Sequence, residues 1–266
     1  GGAPGGGPRE GAPGPPPPGW GPRPARHKVE PAAVFASLPE EIPAVASAAA
    51  RSKGRLSPFA LVNPKVEGAH QRVRGLIEDK GFKGVILFPA LHHYHVGGPH
   101  AAELLGVLGE YGAIAYVHCG VLIVKLRDLL GLPRTQDLSF ANPLDLIPAA
   151  NAHPRVKFVV PHFGAGFLRE LRRPGALGAN VSTDTASSNS WMACQAPPLG
   201  LVDVFRGALQ SLGPERVLFG TDSNVFPAGW RADRLREQRA ALQELGLGKG
   251  EQELIFAGNA RRLLGL

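Results

Sequence analysis

The stretch Tyr116-Val117-His118-Cys119-Gly120 is an apolar run that ends abruptly in a side chain able to bind a metal ion. The same pattern recurs in two later stretches, Val159-Val160-Pro161-His162-Phe163-Gly164 and Leu218-Phe219-Gly220-Thr221-Asp222-Ser223. In a β/α barrel the carboxyl end of every strand opens onto one face, so polar residues at strand ends surround a single mouth. We therefore predict that His118, His162 and Asp222 converge, although they are far apart in sequence.

Short β-branched or aliphatic runs alternate with helical patterns around these stretches, which is the signature of parallel strands joined by crossover helices. Seven strands are predicted, over residues 32–38, 56–62, 84–88, 113–118, 156–162, 180–184 and 216–222. Apolar residues that recur on one face predict helices from Pro64 until Gly81, over 99–111, from Ala232 until Gly246, and near 251–264.

A doubly wound open sheet also alternates strands and helices. Two observations weigh against it: no Gly-x-Gly-x-x-Gly turn follows the first strand, and the polar motifs fall on several strands. We predict an α/β fold, a TIM-like (β/α)8 barrel that is incomplete at its N-terminus because the first barrel strand is missing. Residues 1–30 are rich in Gly and Pro, which predicts a disordered tail. The barrel domain is predicted over residues 31–266.

Composition restricts the class of partner. The net charge is +7, but basic residues are scattered and interleaved with acidic ones, so no nucleic-acid partner is predicted. No segment approaches the roughly 18 uninterrupted apolar residues of a membrane span, so no membrane partner is predicted. The two cysteines, Cys119 and Cys194, form no disulfide framework, which favours the cytoplasm. A small-molecule substrate is expected, and a homodimer is kept as a candidate assembly.

The three strand-end side chains suit a metal site. Two imidazoles and one carboxylate are typical ligands of zinc or another borderline divalent cation. The metal would lower the pKa of a bound water toward neutrality, and a neighbouring carboxylate or imidazole would take its proton. One zinc ion, with manganese as the alternative, is predicted at His118, His162 and Asp222.

The carboxyl-terminal half resembles the amidohydrolase-related branch of the amidohydrolase superfamily, which includes decarboxylases, hydratases and lactonases. The resemblance rests on Val117-His118-Cys119-Gly120 for the fifth strand, Val160-Pro161-His162-Phe163-Gly164 for the sixth and Phe219-Gly220-Thr221-Asp222-Ser223 for the eighth. The ending Gly258-Asn259-Ala260-Arg261-Arg262-Leu263-Leu264 is similar to the terminal helix of that family.

The resemblance implies a role for each matching residue. His118 is implied as a metal ligand, and Asp222 as a ligand that also acts as general base. His162 is implied either as a ligand or as a hydrogen-bonding partner of metal-bound water or substrate. The family's first strand ends in a His-x-His pair that supplies two further ligands, and no such pair precedes Ala32. The expected metal site is therefore incomplete, and its occupancy is in question.

Two further regions are candidates for substrate contact. His93 and His95 follow the strand at 84–88 and either contact substrate or lie solvated in a loop; makeshift metal ligation is a third alternative. Trp191 follows the strand at 180–184 and either forms an apolar wall of the pocket or covers the barrel rim.

The predicted function is a metal-dependent hydrolase or carbon–carbon lyase, such as a decarboxylase, acting on a small carboxylated or cyclic substrate. Asp222 and His162 are its predicted catalytic residues. The alternative is a catalytically impaired remnant that binds a small molecule without turnover. Neither a Gly-x-Ser-x-Gly elbow nor a phosphate-binding Gly-x-x-x-x-Gly-Lys loop is present in the sequence, which argues against those two chemistries.

Overall fold

A computed structural model describes residues 32–121, 129–187, 189–223 and 229–266. The tail predicted over residues 1–30 lies outside these ranges. None of the helices within them is both long and apolar enough to cross a membrane.

Seven parallel strands form one sheet in sequence order, as predicted. They are β1 (Ala32–Ala36), β2 (Leu56–Leu61), β3 (Gly84–Leu87), β4 (Ile114–Val117), β5 (Lys157–Val160), β6 (Val181–Asp184) and β7 (Val217–Leu218). The last strand is shorter than the predicted 216–222, because the chain leaves the sheet after Leu218. The Phe219 backbone N–H bonds instead to Ile255 O at 2.9 Å.

The sheet is curled. Phe59, Ile114, Val159 and Leu218, from strands that are not all neighbours, form one buried cluster together with Leu263 of the carboxyl-terminal helix. In a flat sheet β2 and β7 would be too far apart to share a cluster, since adjacent strands lie about 4.8 Å apart. Within the described residues β1 pairs only with β2, and β7 only with β6. The TIM-like barrel architecture predicted from the sequence is therefore confirmed, with seven strands in the part of the chain that the structure describes.

Helices cover the outside of the sheet. Their bounds are α1 (Ile42–Arg51), α2 (Ala69–Lys80), α3 (Pro89–His92), α4 (Pro99–Tyr111), α5 (Leu146–Ala152), α6 (Leu168–Leu177), α7 (Leu201–Leu212), α8 (Ala232–Glu244), α9 (Lys249–Glu253) and α10 (Asn259–Leu264). The predicted ends of α2 and α4 are correct, because Gly81 and Gly112 both adopt the left-handed conformation that terminates helices.

The last predicted helix is not uniform. A π-helical segment, Leu254–Gly258, lies between α9 and α10. It brings Ile255 O to the end of β7, and Asn259 at the start of α10 donates from Nδ2 to Val217 O at 2.8 Å. Hydrogen bonds from the carboxyl-terminal helical segment thus hold the end of β7 in place. Elsewhere in the sheet, neighbouring strands provide such bonds.

Candidate functional site

His118 directly follows β4 and lies at the carboxyl end of the sheet. Its backbone N–H still bonds to Leu87 O of β3 at 2.9 Å, and its ring stacks on Phe88 with centroids 4.8 Å apart. Only 6% of the residue is exposed. Burial, assisted by the neighbouring His162, lowers the pKa of His118 to about 3. The imidazole is therefore neutral near pH 7, which is the form that binds metals.

His162 lies beside His118, as the sequence predicted. The two ring centroids are 5.3 Å apart, in an edge-to-face arrangement. Gly120 permits this proximity, because a Cβ at that position would lie 2.3 Å from Gly164 O. The segments that follow β4 and β5 can approach each other only where a side chain is missing. Gly120 also has a φ of +88°, which glycine adopts without strain.

The orientation of the His162 ring is set by the segment after β6. The His162 backbone has a φ of +62°, and its N–H donates to Asp184 Oδ1 at 2.9 Å. Its ring Nδ1 lies 2.5 Å from Ala186 O. Since a carbonyl oxygen can only accept, Nδ1 is the donor. In the neutral ring, Nε2 then keeps its lone pair and is available to a metal, a water or a substrate.

Asp184 is a site residue that the sequence reasoning missed. It is the last residue of β6 and is buried, and its Oδ1 accepts from the backbone N–H groups of His162 and Ala186 at 2.9 and 3.0 Å. Burial raises the pKa of Asp184 above its usual range; the charge of Asp222 adds to this, whereas the two hydrogen bonds oppose it. The available signal was its position, since it is the last residue of the strand predicted over 180–184.

Asp222 is exposed and follows β7 with a φ of +52°. Its negative charge contributes to the raised pKa values of Asp184 and Arg231, which places it near the carboxyl end of β6. The segment in front of it is fixed by a buried network around Gln238 of α8. Gln238 Nε2 donates to Thr185 O and to Gly220 O at 3.1 and 3.0 Å. No pattern in the sequence singles out this glutamine.

The described residues supply only part of a metal site. Within 32–121, 129–187, 189–223 and 229–266, no group of three or more His, Cys, Asp or Glu side chains is placed to hold a metal ion. The neutral imidazole of His118 and the Nε2 atom of His162 suit two positions around a divalent cation. Asp222 does not join them in a group of three, so metal binding by all three residues stays a prediction.

His93 and His95 are engaged with the segment that precedes α5. His93 Nε2 lies 2.7 Å from Thr135 O, and His95 Nδ1 lies 2.6 Å from Asp145 Oδ2. Both rings also contact Phe140, with centroid distances of 5.9 and 4.8 Å. These contacts attach the two histidines to the segment that precedes α5. Their predicted contact with substrate stays a prediction.

Trp191 belongs to the hydrophobic core. It is only 9% exposed and packs in the same buried cluster as Phe163 and Phe205. This location agrees with a residue that covers the barrel rim. Its predicted role as a wall of the substrate pocket stays a prediction.

The burial of His118 makes stability depend on pH. Its pKa is about 3 when folded, against 6.5 without the protein environment, so the unfolded chain binds more protons between these values. The free energy of unfolding should therefore fall as pH decreases from 6.5, by up to about 1.4 kcal/mol per unit for this one group. Denaturant titrations at a series of pH values measure the free energy of unfolding of the wild type and of His118→Gln. Below pH 6.5 this free energy should fall less steeply with decreasing pH in the variant than in the wild type. The same dependence on pH in both proteins would contradict a neutral, buried imidazole.

The comparisons with known proteins begin with the sequence. A family model described as Amidohydrolase matches residues 19–266. None of the curated protein sequences is a significant match.

Solved structures share the architecture. A TIM-barrel protein from Bordetella bronchiseptica has a TM-score of 0.65 at 19% identity, covering 89% of this chain and 78% of that chain. A 2,6-dihydroxybenzoate decarboxylase from Rhizobium has a TM-score of 0.59 at 16% identity, covering 85% and 76%. A dihydroxybenzoic acid decarboxylase from Polaromonas, with bound manganese and 2-nitroresorcinol, has a TM-score of 0.60 at 15% identity, covering 85% and 74%.

At these identities the structural likeness shows the fold, whereas the family model spans most of the sequence and includes every strand-end residue described above. The chain belongs to the amidohydrolase family.

Proposed function

We propose that this protein is a metal-dependent decarboxylase or hydrolase that acts on a small aromatic carboxylate. The observation that carries the proposal is the pair of imidazoles, His118 and His162, at the carboxyl ends of adjacent strands in an amidohydrolase chain. The carboxyl end of the strands is where barrel enzymes place their chemistry. Several structural neighbours are decarboxylases of hydroxylated benzoates, which favours decarboxylation over hydrolysis.

His118, His162 and Asp222 would hold the metal, and manganese is proposed rather than zinc because a neighbour was solved with manganese. When bound, a divalent cation supplies Lewis-acid polarisation of a substrate oxygen. Further donors must complete its coordination, since the described residues do not provide three in one group.

The chain's own residues would position the substrate and move a proton. Replacing a ring carboxylate by hydrogen requires a group that delivers a proton to the ring carbon. We assign this transfer to Asp222, which is exposed at the end of β7. His162, with its ring oriented by Ala186 O, would hold the substrate or a water through Nε2. His118 is neutral and buried, so it would act as a fixed ligand and not as an acid.

A substrate panel tests the proposal. The protein is reconstituted with manganese and incubated with mono- and dihydroxybenzoates, while CO2 release and metal content are measured. We expect about one metal ion per chain and release of CO2 from at least one ortho-hydroxylated benzoate. A chain that retains no metal and converts none of these carboxylates would contradict the proposal.

A binding protein without turnover is the second candidate. The observation in its favour is that the described residues form no three-donor group. It predicts saturable binding of aromatic carboxylates with neither metal retention nor CO2 release. Calorimetric titration of the same panel, run beside the CO2 measurement, separates the two functions.

A further inference from the structure

The side-chain amide of Gln238 connects the segments that follow β6 and β7. Gln238 lies on α8 and is only 1% exposed. Its Nε2 donates to Thr185 O at 3.1 Å and to Gly220 O at 3.0 Å, and its Oε1 accepts from Thr185 Oγ1 at 2.5 Å. An amide nitrogen carries two hydrogens, so both donors and the carbonyl of Gln238 are engaged by these two segments.

Thr185 completes this buried network. Its hydroxyl has one hydrogen, which it donates to Gln238, and it accepts from the Gly220 backbone N–H at 3.0 Å. The Thr185 backbone N–H donates to Leu218 O at 3.0 Å. Gly220 also lies directly against Ala186, since a Cβ at position 220 would be 2.7 Å from the Cβ of Ala186. Neither segment can therefore shift without breaking hydrogen bonds to the other.

Through Thr185 the network reaches the ring of His162. The carbonyl of Thr185 and the N–H of Ala186 belong to one planar peptide group. Gln238 holds the carbonyl, and Asp184 Oδ1 accepts from the N–H at 3.0 Å. The next carbonyl along the chain, Ala186 O, accepts from His162 Nδ1 at 2.5 Å. The orientation of the His162 ring thus depends on how this peptide group is held.

The same network reaches Asp222 from the other segment. Both backbone polar groups of Gly220 are fixed, because its N–H donates to Thr185 Oγ1 and its carbonyl accepts from Gln238. Only Thr221 separates Gly220 from Asp222. The backbone that carries the Asp222 carboxylate therefore leaves the network from a fixed point.

We propose that Gln238 is a positioning residue that holds the His162 ring and the backbone in front of Asp222 in one fixed arrangement. Because Gln238 is buried behind the strand ends, it acts through the two segments and not by contact with substrate. Its catalytic consequence rests on the proposed function, in which His162 holds the substrate or a water and Asp222 transfers a proton. A misplacement of about 1 Å between such groups can cost about 100-fold in rate.

Gln238→Glu tests this role at nearly constant side-chain shape. A glutamate side chain, charged or neutral, cannot donate to both carbonyls, so the network is broken. The His162 ring is observed by ¹⁵N NMR in the full chain, labelled at histidine and without added metal, and its signals are assigned with His162→Gln. The wild type should show the Nδ1–H tautomer. In Gln238→Glu the signals should shift towards a mixture of both tautomers, and kcat for the converted carboxylate should fall by about 100-fold.

Two comparisons separate the network from a general loss of stability. Gln243→Glu makes the same change at an exposed position of α8, and it should keep the wild-type His162 signals and kcat. Thr185→Val removes the hydroxyl that joins Gln238 to Gly220, so it should shift the His162 signals in the same direction as Gln238→Glu. Thr185→Ser keeps a hydroxyl and should restore the wild-type signals.

Wild-type His162 signals in a folded Gln238→Glu protein would overturn the proposal, and so would an equal shift in Gln243→Glu. Should Gln238→Glu fail to fold, the Thr185 pair decides, and identical His162 signals in Thr185→Val and Thr185→Ser would overturn it. The NMR measurement needs no substrate. A wild type that converts no carboxylate would therefore contradict the proposed function, whereas the His162 signals would still decide the role of Gln238.

Discussion

Asp222→Asn should lower kcat/KM for the converted carboxylate by roughly 10²–10⁴-fold, the range expected when a positioned proton-transfer group is lost. The amide cannot transfer the proton, and it is a poorer metal ligand than a carboxylate, so metal retention should fall as well. The fold should survive. The substituted amide keeps the shape of the carboxylate side chain, and asparagine adopts the observed φ of +52° more readily than most residues.

Asp203→Asn is the matched control. It removes the same charge from α7, where Asp203 pairs with Arg206 at 2.7 Å outside the strand ends. Activity in this variant should stay close to that of the wild type, and denaturant unfolding should show that both variants are folded. If Asp222→Asn keeps activity within twofold of the wild type, the assignment of proton transfer to Asp222 is wrong.

Gly84→Ala should destabilise the protein by more than about 4 kcal/mol, or prevent folding. Gly84 begins β3 and is paired with Phe59 of β2 and Ile114 of β4. A Cβ at this position would lie 1.9 Å from Ile114 O and 2.7 Å from its carbonyl carbon. Because both atoms belong to the backbone of the neighbouring strand, no side-chain rotation relieves the clash. The strands must separate, and their hydrogen bonds are lost.

Gly106→Ala provides the contrast. Gly106 lies inside α4, and a Cβ there meets no atom within 4 Å. This variant should be neutral or stabilised by up to about 1 kcal/mol, since alanine favours helix. Equilibrium unfolding in urea measures both variants. A Gly84→Ala protein that unfolds cooperatively with a stability close to that of the wild type would contradict the close approach of β3 and β4.

The sequence predicted those structural features that arise from a residue pattern recurring along the chain. All seven strands were predicted, most of them because parallel strands covered on both faces are short apolar runs. β1 and β6 depart from that rule, since β1 is largely exposed and β6 carries Ser182, Thr183 and Asp184. The ends of α2 and α4 were predicted because Gly81 and Gly112 supply left-handed caps. The proximity of His118 and His162 followed from the same regularity, since consecutive parallel strands end side by side.

The single helix predicted near 251–264 shows where this regularity ends. Apolar periodicity does not distinguish a continuous α-helix from one with a π-helical segment at Leu254–Gly258. That segment depends on contacts with β7, which lies well before it in the chain.

The sequence by itself determined the family, the curled parallel sheet and the strand ends at which its polar residues lie, because these follow from local periodicity and motif order. Only the tertiary structure decided which atoms meet. Asp184 holds the His162 backbone across 22 residues, and Gln238 reaches Thr185 across 53. Such contacts depend on the curl of the sheet and on positive-φ turns after its strands. These are properties of the packed chain, and no local pattern encodes them.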